Sequence, residues 1–164
     1  PQPGFCEPSS SGALTLQPIV TDLNAPVYVT APPADERLYI VERGGKLRVS
    51  RIWAAIDVGT AINPELIRRQ VESAIVYGLS AAMFQEISFK DGVVRQSNFS
   101  DFEALRIHQM PTVEVAILEG QTNIGGVGEP GLPSVIPALG NAIFDLTGRR
   151  LRAMPFSKFV GFVD

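Results

Sequence analysis

The chain has 164 residues, with 14 Lys and Arg against 17 Asp and Glu, one His, a formal charge of −3 and 45% apolar residues. That composition describes one globular domain, or one domain with a small appendage. Without clustered Lys and Arg there is no footprint for polyanions, which excludes DNA and RNA as partners, and the longest charge-free stretches, Pro8–Thr21, Ser73–Gln85 and Pro130–Phe144, fall short of the ~20 apolar residues a membrane span needs.

A single cysteine, Cys6, allows no intrachain disulfide and no thiolate metal cluster, and with His108 the only histidine the composition argues against a self-contained zinc site. The sequence begins at Pro1 rather than Met, which suits a processed precursor or a trimmed chain. Residues 1–50 hold 7 of the 13 prolines and the run Ser9-Ser10-Ser11-Gly12. This segment reads as an irregular lead followed by short strands, with a junction near 50 separating it from a second unit over 51–164. Within it, Thr15–Val20 alternates weakly and Val27-Tyr28-Val29 is β-branched and aromatic. Leu38–Glu42 and Lys46–Val49 flank Arg43-Gly44-Gly45, a pattern that predicts a hairpin. Ile52–Val58 then reads as a buried strand ending at Gly59.

Asn63-Pro64-Glu65 is a helix start: Asn caps free amides, Pro occupies a position that needs no N–H, and Glu faces the positive end of the dipole. Ile67, Val71, Ile75, Leu79 and Met83 recur every four residues, which predicts an amphipathic helix of roughly 20 residues. Ala74, Gly78 and Ala82 form a small-residue strip beside them, where another element can pack closely. Glu86–Lys90 and Val93–Gln96 form a second hairpin about Asp91-Gly92, and Thr112–Leu118 is a further strand. After a glycine-rich loop from Gly120 to Gly131, Ser134–Leu146 has helical spacing and closes on Gly148. The expected class is α+β: short antiparallel N-terminal strands, then a mixed sheet with two main helices on one face. Arg149-Arg150-Leu151-Arg152 reads as a solvated end.

The loop Gly125-Gly126-Val127-Gly128-Glu129-Pro130-Gly131 is the segment with most chemistry, because four glycines in seven residues leave backbone amides bare around one carboxylate. Gly126–Gly131 matches G-x-G-x-x-G, yet Pro130 and Pro133 remove amides a pyrophosphate would use, and too little chain follows for a second nucleotide-binding unit. A flexible turn with an incidental glutamate is one alternative. The other makes Glu129 a general base, since it is the sole charge between Gly120 and Phe144 and desolvation there would raise its basicity. Nothing else supplies a catalytic triad, and His108 alone is read as a surface or satisfied histidine.

Six motifs follow one another in a specific order: Asp57-Val58-Gly59 with Ile62-Asn63-Pro64; Gln70-Val71-Glu72-Ser73-Ala74 with Tyr77-Gly78-Leu79; Ser97-Asn98-Phe99-Ser100-Asp101-Phe102; Leu105-Arg106-Ile107 before Met110-Pro111; Gly126-Val127-Gly128-Glu129-Pro130-Gly131; and Pro137-Ala138-Leu139-Gly140-Asn141-Ala142-Ile143. Over residues 47–156 this order resembles the C-terminal part of the large subunit of molybdenum hydroxylases, the xanthine oxidase and aldehyde oxidase family, of the isoquinoline 1-oxidoreductase type. The resemblance implies hydroxylation of an aldehyde or N-heteroaromatic carbon with oxygen from water, at a molybdenum–molybdopterin dinucleotide shared with partner chains. It implies that Glu129 is the base that deprotonates the attacking hydroxyl, with Gln70 and the glycines Gly126 and Gly128 beside the cofactor. Ser73 departs from the pattern, standing where the family usually has Gly. Family large subunits are several hundred residues long, so the site implied is incomplete in this chain.

Residues 14–50, through Leu23–Pro32, Asp35–Glu42 and Gly44–Val49, resemble the first blade of a glucose/sorbosone dehydrogenase β-propeller, within which no catalytic or cofactor position of that family falls. The two resemblances imply a composite chain, a natural fusion, a gene remnant or an engineered or misassembled one, with a seam near Val49–Ile52, and they lean towards a periplasmic or secreted setting. Two functions follow as expectations. One is an oxidoreductase component completed by the remaining hydroxylase chains, which carry the rest of the pocket and the iron–sulfur clusters. The alternative is a non-catalytic structural protein, built from an enzyme fragment, that forms a homo-oligomer.

Overall fold

The computed structural model describes residues 27–28, 40–43, 46–118 and 123–163. The expected strand at Thr15–Val20, the Gly44-Gly45 turn and Cys6 lie outside the described residues. In chain order the first strands are β1 (Val27–Tyr28), β2 (Ile40–Arg43) and β3 (Lys46–Val49). β2 and β3 pair antiparallel with Arg43 opposite Lys46 and Ile40 opposite Val49, the hairpin the sequence predicts.

β4 (Arg51–Asp57) follows, its inward residues Ile52, Ala54 and Ile56 buried and the alternate ones part-exposed or exposed, the period of a strand with one face on the core. It ends at a turn in which Gly59 adopts a φ of +70° while its N–H donates to the Asp57 carboxylate at 2.9 Å, a conformation that favours glycine. The chain then enters α1 (Pro64–Met83), whose first turn is capped by the Asn63 side chain accepting from the Leu66 amide at 3.1 Å. The helix has the 20 residues expected. Its buried stripe includes Val71, Ile75 and Leu79, each 1% exposed or less.

β5 (Phe89–Lys90) and β6 (Val93–Val94) form the second hairpin, with Asp91 at φ +52° and Gly92 at φ +77° in the turn, the paired left-handed conformation of a tight two-residue loop. After a 3-10 turn at Ile107–Gln109, β7 (Thr112–Leu118) runs parallel to β4 in continuous register from Arg51–Thr112 to Asp57–Leu118. β1 lies antiparallel on the other side of β4, giving the order β1-β4-β7. The expected mixed sheet is therefore present, with α1 as the crossover between its parallel strands.

α2 (Gly131–Thr147) ends at Gly148 with φ +70°, whose N–H bonds the Phe144 carbonyl at 2.7 Å, a left-handed glycine cap. The helix begins three residues before the expected Ser134, because Pro133 lies in the first turn, where no amide partner exists to be lost. The chain closes through a 3-10 turn at Phe156–Lys158 into β8 (Gly161–Phe162), parallel to β3. Leu47 and Val49 of β3 and Phe162 of β8 join the same core as β4, α1 and α2.

Candidate functional site at the carboxyl ends of the parallel strands

The small-residue strip of α1 receives the first turn of α2. A Cβ on Gly78 would stand 2.5 Å from Val135 Cγ1 and 2.7 Å from the Leu132 carbonyl oxygen, and one on Gly131 would stand 3.1 Å from the Ala74 Cβ. The two helices thus meet almost backbone to backbone, and that contact fixes where α2 starts. Glu129 lies two residues before Gly131, and its carbonyl accepts the Leu132 amide at 3.0 Å, so the loop turns directly into the anchored helix. At the loop's other end the Gly125 amide donates to the Val58 carbonyl at 2.9 Å, and Val127 packs against the core. The glycine loop is therefore tied both to the exit of β4 and to α1.

This arrangement puts the loop outside the carboxyl ends of β4 and β7, the place where sheets with parallel strands bind ligands. Gly126 and Gly128 are exposed, and a Cβ at either would meet nothing within 4 Å. The glycines are not forced by this chain's own packing, and the space beside them is free for a group from outside. Gln70 is exposed on α1, immediately before Val71, whose carbonyl lies 3.5 Å from the Cβ position of Gly131. Gln70 and Glu129 thus lie one and two residues in sequence from Val71 and Gly131, which meet at the helix–helix contact.

Glu129 is itself exposed. The desolvated glutamate expected from the sequence is not found, because no described segment folds over the loop, and burial there would have to come from a group or chain laid against it. Ser73 is also exposed and faces solvent rather than the helix contact. His108 is exposed, with only its backbone carbonyl engaged, by Arg48 at 3.4 Å. Among the described residues no group of three His, Cys, Asp or Glu side chains could hold a metal ion.

Sequence reasoning missed two features. Ser80, the buried polar residue of α1, donates to the Val76 carbonyl at 2.8 Å and accepts the Leu105 amide at 3.0 Å, pinning the Leu105–Met110 motif onto the helix. Beside it runs an open groove of about 420 Å³ lined by Ser73, Tyr77, Leu105 and Met110 among others. A serine within an apolar stripe was the only sequence signal for either.

Residues 40–111 match the family model of the molybdopterin cofactor-binding domain. The chain is 39% identical over 109 residues to the beta subunit of isoquinoline 1-oxidoreductase from Brevundimonas diminuta, a match covering 66% of this chain and 14% of that protein. It is 32% identical over 121 residues to the molybdenum-binding subunit of an Escherichia coli aldehyde oxidoreductase, covering 69% of this chain and 16% of that protein. Among solved structures a Cu,Mo-containing CO dehydrogenase superposes with a TM-score of 0.59 at 29% identity, over 68% of this chain and 15% of that one. Residues 47–156 resemble a molybdenum hydroxylase large subunit.

The chain spans about one-seventh of the length of these hydroxylase subunits. The molybdopterin-binding family model begins at residue 40, so it takes in residues 40–50 of the segment that resembles a propeller blade. The propeller resemblance finds no support in these comparisons. No helix among the described residues is long and apolar enough to cross a membrane.

Proposed function

We propose that this chain is a component of a molybdopterin-dependent oxidoreductase that hydroxylates an aldehyde or N-heteroaromatic carbon, and that it needs further hydroxylase polypeptide to complete the site. The observation that supports this reading is that Glu129 precedes a helix anchored on α1, on a glycine loop bonded to the exit of β4. The names of the hydroxylase relatives, which include an isoquinoline and an aldehyde oxidoreductase, support the substrate class.

The residues present fit such a cofactor as an outer wall. The open sides of Gly126 and Gly128 admit close approach to bare backbone amides, and Gln70 offers a side-chain amide that donates and accepts. With no ligand set of its own among the described residues, the chain would take the metal already ligated by its organic cofactor. Bound there, the cofactor supplies a two-electron oxidant, so that substrate C–H and water yield C–OH with release of two protons and two electrons. Within that reaction Glu129 accepts the proton of the attacking hydroxyl at a carboxylate oxygen. The bonds of Gly125 to Val58 and of Leu132 to Glu129 tie the two ends of its loop, which limits the positions open to the base. A cofactor and partner polypeptide laid over the loop would exclude water from a carboxylate that this chain leaves exposed, strengthening it as a base.

Glu129→Gln in the assembled enzyme tests the role. The substitution keeps size and removes the proton acceptor, so turnover should fall about 10²–10⁴-fold, the usual range for a general base, while cofactor content is unchanged. Retained turnover would remove Glu129 from the chemistry.

A further inference from the structure

We infer that the cavity between the second half of α2 and the segment that follows it binds a phosphate monoester carried on an apolar body. The cavity holds about 350 Å³ and lies between residues 136–141 of α2 and residues 150–156. Its polar side chains are Asn141, Arg150 and Arg152, and no acidic residue lines it. The chain as a whole carries a charge of −3, so two guanidinium groups on one cavity without a carboxylate are a local concentration of positive charge.

Arg150 is held in place without being neutralised. Its Nη1 donates to Asn141 Oδ1 at 2.7 Å, and its guanidinium lies over the Phe144 ring, 3.7 Å from the ring centre. These two contacts fix the plane of the guanidinium and leave most of its five N–H donors unspent. Asn141, whose oxygen faces Arg150, has its NH2 group left to donate. Arg152 is exposed and makes no hydrogen bond or ion pair among the described residues. Elsewhere Arg51, Arg68, Arg69 and Lys158 each meet a glutamate. Donors on three side chains exceed what the two oxygens of a carboxylate need and suit the three terminal oxygens of a phosphate monoester.

The remaining walls are apolar, with Leu151 and Met154 beside the buried Phe156, a surface on which the organic part of the ligand packs. The basic stretch that reads as a solvated end in the sequence is thus divided by the fold. Arg149 turns away and donates to the Phe159 carbonyl at 2.9 Å, while Arg150 and Arg152 line the cavity. Asn141 stands ten residues along α2 from Gly131, about 15 Å by helical rise, so the cavity is separate from the glycine loop and does not depend on the role given to Glu129.

The test is a titration of the full 164-residue chain with phenyl phosphate, inorganic phosphate and benzoate, followed by calorimetry and by the Asn141 side-chain amide signal in NMR. Phenyl phosphate should bind most tightly, with a Kd below about 1 mM, and should shift that signal. Arg152→Gln removes a side chain that bonds to nothing in the fold, and should weaken binding about ten- to a hundredfold through the loss of charged hydrogen bonds. Arg150→Lys keeps the charge and loses the planar fork, and should weaken it about tenfold. Arg149→Gln makes the same change of net charge next to the cavity but outside it, and should leave the Kd within about twofold at physiological salt; circular dichroism checks that each variant is folded. Absence of saturable binding up to about 10 mM phenyl phosphate, or equal affinity for inorganic phosphate or benzoate, would overturn the inference. So would Arg149→Gln weakening binding as much as Arg152→Gln, since the attraction would then be one of net charge alone. None of these probes involves a metal, so the result is independent of that for Glu129→Gln.

Discussion

Ser80 and Asp101 show how single side chains hold the motifs around α1. Ser80 is 3% exposed and bridges the Val76 carbonyl and the Leu105 amide. Ser80→Ala leaves that amide without its acceptor, and chemical denaturation should show a loss of about 1–3 kcal/mol, with faster amide exchange over residues 105–110. Asp101 accepts from the Ser97 amide at 3.1 Å and the Ser97 hydroxyl at 3.0 Å, closing the Ser97–Asp101 loop. These bonds, the Ser97 amide first and then the Ser97 and Ser100 hydroxyls, hold the carboxyl below its usual range. Because the folded value is the lower one, the loop's stabilisation is full above the ordinary aspartate value of about 3.9 and is lost as pH falls through the depressed value. The Ser97 amide signal in an NMR titration should therefore have its midpoint below the ordinary aspartate value, and a transition at or above that value would contradict this.

At the scale of elements, the decisive joint is the approach of α2 to α1. Gly78→Ala would drive a methyl group to 2.7 Å from the Leu132 carbonyl, a backbone atom that cannot move aside without carrying the loop with it. It should cost about 1–3 kcal/mol as overpacking and displace Glu129. Gly140→Ala, on α2, meets only the Phe156 ring at 3.5 Å and should be neutral or stabilising; thermal unfolding of the two variants checks the contrast. The same joint shows what could be read in advance. Asn63-Pro64, Asp91-Gly92 and Gly148 are local signals whose chemistry fits one conformation, and each marks the boundary or turn that the structure has. The strip Ala74, Gly78 and Ala82 announced a close partner without naming it, since the partner, Gly131–Val135, is distant in sequence. Pro133 concealed the first turn of α2, and β8, two residues long, has no periodicity to detect. Glu129 stood out as a lone charge among glycines. Its exposure did not, because burial of a loop depends on what lies over it.

At the scale of the molecule, one core joins both sheets and both helices, yet large apolar side chains remain outside it, Phe99 at 86% and Ile107 at 89% exposure among them. Surfaces of this kind mark contacts with further polypeptide when they cluster. Gln70, Gly126, Gly128 and Glu129 are exposed in the same way. The proposed function requires Gln70, Gly126, Gly128 and Glu129 to lie against a molybdenum cofactor. The most direct measurement is the molybdenum content per chain, by elemental mass spectrometry, of natively purified material with its co-purifying polypeptides identified. Near-stoichiometric molybdenum together with a larger hydroxylase polypeptide is the result expected; a homogeneous preparation of this chain without molybdenum would contradict it.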